Sequence, residues 1–294
     1  MGLVAVVLSL GLVATACNGG GSKDRTVTIG WIPWNEDVAV TYLWKYILEE
    51  RGYKVRLVQL PTGNIFSGVS KGDVDVFLDM WLPITHKDYW KLYGGQLEKL
   101  GTWYEQATLN IAVPEYAPIN SLTQLSEHAE RYEGTILGIE PDAGLTSITT
   151  NRVIPEYNLE AGFELKTSST ASMLSALESA LEEEEPIAVT LWHPHFAYAK
   201  YDIKDLADPE NALGATEKLY SVARTGFNED YPRVASWLKN FELTDQQLAN
   251  LERLMFSKYK NQEEKAVQVW LEDHQNLVEQ WTGSGKPATE HSPG

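Results

Sequence analysis

Strand-like and helix-like stretches alternate from Val27 to Leu78, and that order constrains the fold more than any other feature of the chain. Val27–Ile32 is a β-rich run. Asn35-Glu36-Asp37 then supplies a helix cap and first-turn acids, which suit the positive end of a helix. Val40, Leu43, Trp44, Ile47 and Leu48 follow at helical spacing, and Gly52 stops the helix. Lys54–Leu60 reads as a second strand, Asn64–Ser70 as a short helix ending near Gly72, and Val74–Leu78 as a third strand. Strands joined through helices in β-α-β-α-β order lie parallel in one sheet.

A second α/β unit is expected further on. Leu109–Val113 is a strand closed by Pro114. Thr135–Ile139 is a strand leading into a strand-to-helix turn at Asp142-Ala143-Gly144-Leu145-Thr146-Ser147. Ala171–Glu183 is a helix with Met173, Leu174, Ala176, Leu177 and Leu181 inward, and its acidic end is a solvated face. Ile187–Leu191 is the strand after it. Asp202–Asp208 reads as a loop with a short turn, and Tyr220–Ala223 leads the chain back to the first unit. Glu229–Phe241, Thr244–Ser257 and Gln262–Trp281 read as helices. The expected organisation is two α/β lobes, each a mostly parallel sheet flanked by helices. Residues 26–112 with 217–282 form lobe I, 113–216 form lobe II, and 283–294 form a disordered tail. Ligands of open parallel sheets sit outside the carboxyl ends of the strands, which places a site in the cleft between the lobes.

Composition narrows the function. The length of 294 residues suits two domains, and 43% hydrophobic residues exclude a wholly disordered chain. A net charge of −17 argues against a nucleic-acid partner, because phosphate binding needs basic patches. One cysteine excludes a disulfide framework and a Cys-rich zinc site. Residues 1–16 are uncharged and almost all apolar or small. They are too few to span a bilayer comfortably, which takes ~20 residues, and read as a signal peptide. Cys17 directly follows Ala14-Thr15-Ala16 and resembles the lipobox of a bacterial lipoprotein. On that reading Cys17 carries a lipid anchor, 17–25 is a flexible tether, and the body sits at the outer face of the cell membrane. A plain signal peptide with an incidental Cys17 is the alternative. No P-loop or dinucleotide fingerprint is present.

Ten tryptophans invite the question of what the rings touch. Trp31-Ile32-Pro33-Trp34 follows the first strand, Asp79-Met80-Trp81-Leu82-Pro83-Ile84-Thr85-His86 the third, and Trp192-His193-Pro194-His195 the last strand of the second unit. Converging indole faces suit a cation that cannot hydrogen-bond, such as a quaternary ammonium. The Asp142–Ser147 turn offers backbone N–H groups at a helix start, an anion site. An ammonium box beside an anion cradle describes a betaine. Trp31 has the better claim to the core, and Trp44, Trp237, Trp270 and Trp281 sit at core-facing helical spacing. Glu36 and Asp37 read as first-turn acids rather than ammonium partners. His193 and His195 form a His-x-His pair without a third ligand, so no metal site is expected, and His195 is expected to brace the Trp192 loop.

Four segments, Gly30–Asp37, Trp81–Trp90, Gly138–Leu145 and Thr190–His195, resemble the signature segments of the glycine betaine-binding proteins of ABC importers, over about residues 26–282. The resemblance implies a type II-like periplasmic-binding-protein fold. It implies an ammonium cage of Trp34, Trp81 and Trp192. It implies a carboxylate held by His86 and by the backbone amides of Gly144 and Leu145. It also implies capture by lobe closure and delivery to a membrane permease, with ATP consumed by a separate subunit. No cofactor and no catalytic residue are expected, and a monomer is. An unperturbed His86 would charge beside the bound carboxylate, so betaine affinity is expected to fall toward alkaline pH. Choline, carnitine, proline betaine or a sulfonium betaine are alternative ligands. A secreted hydrolase using His86 or His195 as base is the rival class, against which stands the lack of a cysteine nucleophile in the body.

Overall fold

The computed structural model describes residues 26–283. The signal segment 1–16, the Cys17 anchor with its tether to 25, and the tail from 284 lie outside the described residues. The strands are β1 (Thr26–Trp31), β2 (Lys54–Gln59), β3 (Val76–Leu82), β4 (Leu97–Pro114), β5 (Thr135–Leu137), β6 (Glu164–Lys166), β7 (Val189–His193), β8 (Ile203–Asp205) and β9 (Glu217–Arg224). They form one mixed sheet in the order β2-β1-β3-β9-β4-β7-β5-β6, with β8 paired to β4. The helices are α1 (Asn35–Glu50), α2 (Thr62–Lys71), α3 (Lys87–Tyr93), α4 (Gly144–Ile148), α5 (Ile154–Glu156), α6 (Thr170–Glu182), α7 (Ala197–Lys200), α8 (Phe227–Asp230), α9 (Pro232–Lys239), α10 (Asp245–Arg253) and α11 (Glu263–Thr282).

The parallel pairs sit where the alternating pattern places them. β1 runs parallel to β2 and β3, and β5 parallel to β6 and β7. Every residue of β3 is buried, as a strand covered on both faces requires. Gly72 ends α2 in the left-handed region at φ 80°, a conformation glycine adopts without a Cβ penalty. Antiparallel strands join the two halves. Leu97–Ala107 of β4 pair with β9, and Thr108–Pro114 pair with β7 and β8. Three register shifts along the β4–β9 pair bend the shared strand, and the sheet curls as bulged sheets do.

Several elements differ from the sequence expectation. β3 runs on to Leu82, so Asp79 and Trp81 lie within the strand. β4 begins at Leu97 rather than at Leu109, because bulges interrupt the alternation in its first part. The expected loop at Asp202–Asp208 contains β8, paired to β4. The expected Glu229–Phe241 helix is split into α8 and α9 at Tyr231, where Pro232 takes the first turn of α9. α10 continues into a π-helical turn at Leu254–Lys258. Trp31 is only half-buried. Trp237 is half-buried too, with the Arg51 guanidinium 5.3 Å from its ring. Trp44, Trp270 and Trp281 are core residues, and Trp44 packs edge-on against Phe241 at 5.3 Å and tilted on Trp281 at 6.3 Å.

Candidate functional site

Asp37 shapes the turn that presents Trp34. Its carboxylate accepts the Ile32 backbone N–H at 2.7 Å and the Thr41 hydroxyl at 3.2 Å, which ties the end of β1 to the first turn of α1. Trp34 is thereby held as the N-cap of α1, with no side-chain cap bond, and Asn35 is the first helical residue. Trp81 stands on β3 and Trp192 on β7. The loop after β3 is pinned from β9. Glu217 accepts the backbone N–H of Ile84 at 2.6 Å and of Thr85 at 2.9 Å, and also the Thr85 hydroxyl.

The three tryptophans meet at one cavity. It is walled by Trp34, Trp81, Trp192 and Leu145, together with Glu36, Thr85, Leu109, Ile139 and Ala143. Trp34 and Trp192 stand 6.4 Å apart, their planes tilted by 58°. Gly144 opens α4 next to this wall, and Gly144 and Leu145 carry amides that a helix start leaves without intrahelical partners. The halves touch closely here. A Cβ on Gly144 would overlap the Thr85 carbonyl oxygen and come within 2.6 Å of Thr85 Cγ2. Tyr89 donates its hydroxyl to the Asp142 carbonyl at 3.2 Å across the same cleft.

His86 is beside the cavity rather than among its wall residues. It is fully buried and stacks on Trp34 at 5.8 Å and 13°. Its Nδ1 accepts the Trp81 backbone N–H at 3.0 Å, so the proton sits on Nε2, which has no partner among the described residues. Burial pushes the imidazole pKa down to about 3. Burial thus favours the neutral ring, unlike the unperturbed imidazole from which the expected pH coupling starts. His195 accepts the Ala197 N–H at Nδ1 and meets the Trp192 ring edge-on at 4.7 Å. His193 turns away from it, to Asp205 at 2.9 Å and onto the Tyr198 ring at 3.7 Å.

The first-turn acids are not solvated. Glu36 is fully buried, reaches the cavity wall and accepts the Trp192 indole N–H at 2.9 Å. Asp37, Asp79 and Glu252 are as deeply buried. Burial raises all four carboxyl pKa values, with mutual repulsion adding to the shift for Glu36, Asp79 and Glu252. Asp37 and Glu252 are each pushed up to about 8. Neither Glu252 oxygen has a hydrogen-bond partner among the described residues. The fold thus holds protons that an unfolded chain releases near pH ~4. This contribution to stability is fully present below that pH and is lost as pH rises through about 8. Melting temperature is therefore expected to drop between pH 5 and 8.5. Glu252→Gln should flatten that slope and melt about 3 °C or more above the wild type at the alkaline end. Thermal melts of both proteins across this range check it; parallel slopes would contradict it.

Two α/β halves joined by crossing strands, with an indole-walled cavity between them, define a solute-binding protein. Residues 25–273 match the family described as the substrate binding domain of ABC-type glycine betaine transport system, OpuAC, and the chain belongs to that family. A crystal structure of lactococcal OpuAC, closed and complexed with glycine betaine, is 30% identical, with a TM-score of 0.82 over 88% of this chain and 100% of that one. The glycine/betaine/L-proline-binding protein ProX of Borrelia burgdorferi is 27% identical, with a TM-score of 0.83 over 88% of this chain and 97% of that one. The glycine betaine/carnitine transport binding protein GbuC of Listeria monocytogenes is 35% identical over 154 residues, 52% of this chain. That match spans about half (50%) of the GbuC length.

Proposed function

We propose that this protein captures glycine betaine, or a closely related quaternary ammonium osmolyte, outside the cytoplasm and delivers it to an ABC permease. One observation carries the reading: three indoles from the start of α1, from β3 and from β7 wall a single cavity. Trp34, Trp81 and Trp192 face the trimethylammonium. The Gly144 and Leu145 amides and the Nε2–H of His86 take the carboxylate, and His195 steadies the Trp192 ring. The relatives whose names include glycine betaine support the ligand, and the mutual placement of these residues supports their roles.

Each desolvated cation–π contact contributes ~2 kcal/mol, and each charge-assisted bond to the carboxylate ~1.5–3 kcal/mol. Association costs offset much of this, leaving about −8 kcal/mol, a micromolar affinity. Residues 26–112 with 217–282 act as one lobe and 113–216 as the other. The return of the chain in β9 supports a two-lobe division, and the change of pairing partner between Ala107 and Thr108 moves the crossover a few residues ahead of 112. Lipidation of Cys17 ties the protein to the membrane.

Because His86 is neutral, His86→Ala should lower betaine affinity by a similar factor from pH 5.5 to 8.5, roughly tenfold. A loss confined to the acid end would restore the charged ring. The functional reading is tested by incubating the protein with glycine betaine, choline, carnitine and proline betaine together and identifying the retained compound by mass spectrometry. Glycine betaine recovered unchanged is the expected result. Retention of none of them, or recovery of a converted product, would overturn it.

A further inference from the structure

All three proposed cage rings donate their indole N–H to an acidic side chain. The indole N–H of Trp81 donates to Asp79 Oδ1 at 3.0 Å, that of Trp192 to Glu36 Oε2 at 2.9 Å, and that of Trp34 to Glu140 Oε2 at 3.2 Å. Core tryptophans do otherwise. Trp103 and Trp270 donate to the backbone carbonyls of Leu78 and Gln247, and Trp44 Nε1 has no partner. Two of the cage bonds also cross the cleft in opposite directions. Trp34, at the α1 start, reaches Glu140 beyond β5; Trp192, on β7, reaches Glu36 in α1. Neither bond exists unless the halves meet.

Glu140 is fixed before it receives the ring. Its Oε1 accepts the Thr170 backbone N–H at 2.9 Å, and its Oε2 accepts the Thr170 hydroxyl at 2.8 Å, at the start of α6. It lies outside the cavity wall, so it offers a bare cation no coordination site. Cation–π attraction depends on the ring face being turned to the charge, and a carboxylate accepting the indole N–H both fixes that plane and makes the face more negative.

Resting on the betaine reading above, we infer that Glu140 is a positioning residue of the cage: it sets the plane of Trp34 from across the cleft, as Glu36 does for Trp192, and favours a cationic head group over a neutral one of the same shape. The reciprocal bonds make completion of the cage and closure of the cleft one event. Disruption should therefore speed ligand release more than it slows capture.

The test compares glycine betaine with tert-butylacetate, its uncharged-head isostere, on wild type, Glu140→Ala, Glu140→Gln and Thr170→Val, by affinity and by stopped-flow release. Glu140→Ala should lose betaine affinity about tenfold, mostly through faster release, while tert-butylacetate changes less than about threefold. Glu140→Gln keeps an acceptor for Trp34 and should recover most of the loss. Thr170→Val removes a bond to Glu140 but not the one to Trp34, and should stay within about twofold of wild type. Equal weakening of both ligands, no weakening, or a loss in Thr170→Val matching that in Glu140→Ala would overturn the inference. Wild-type protein that ignores betaine would sink the functional reading itself, whereas wild type that binds it beside unaffected variants sinks this inference alone.

Discussion

Trp192→Ala is expected to weaken glycine betaine binding by about 2 kcal/mol or more, roughly thirtyfold, because one wall of the box disappears. The ring is 3% exposed, spans from β7 to the cavity and holds Glu36 across the cleft, so its loss removes both an ammonium contact and a cross-cleft bond. Trp192→Phe keeps a quadrupole and should cost less, although it forfeits the N–H. Titration calorimetry on the two variants decides the matter. An alanine variant that binds like the wild type would take Trp192 out of the cage.

Gly144→Ala should have the larger effect from the smaller change. The added Cβ would overlap the Thr85 carbonyl oxygen, and that neighbour is backbone pinned by Glu217, so it cannot swing aside. Overpacking of this kind costs ~1–3 kcal/mol, and a clash with fixed backbone belongs at the upper end, about a hundredfold in affinity. The clash arises only where the halves meet. The melting temperature without ligand should therefore change by no more than about 2 °C, while betaine-induced stabilisation disappears. Unchanged affinity would mean that the closed approach of Thr85 and Gly144 is not needed for binding.

Much of the first half was legible because covered parallel strands and the helix between them carry unmistakable periodicity: Val27 and Ile29 in β1, then Leu43, Trp44 and Ile47 in α1. Trp34, Trp81 and Trp192 were legible as a group because they stand at or near the carboxyl ends of strands, in segments that resemble those of betaine-binding proteins. Their partners were not. Glu36 looks like a solvated first-turn acid until Trp192, 156 residues away, covers it. Glu217 reaches the loop after β3 from 132 residues away, and no local pattern announces it. Leu109 and Ile139 complete the wall as ordinary apolar residues, chosen by topology alone. The expected pH coupling of His86 starts from the solvated value near pH ~6.5, whereas burial pushes this imidazole down to about 3.

The central claim is that neutral ring faces, not hydrogen bonds or a counter-charge, recognise the head group. It is tested most directly by calorimetric titration of the wild-type protein with glycine betaine, dimethylglycine and glycine at one pH. These share the carboxylate and differ in how many methyl groups are replaced by N–H. Each N–H buried against indole lacks an acceptor and costs ~1–3 kcal/mol. Affinity should therefore fall by about tenfold or more from glycine betaine to dimethylglycine and vanish for glycine. Glycine binding as tightly as glycine betaine would contradict the aromatic cage.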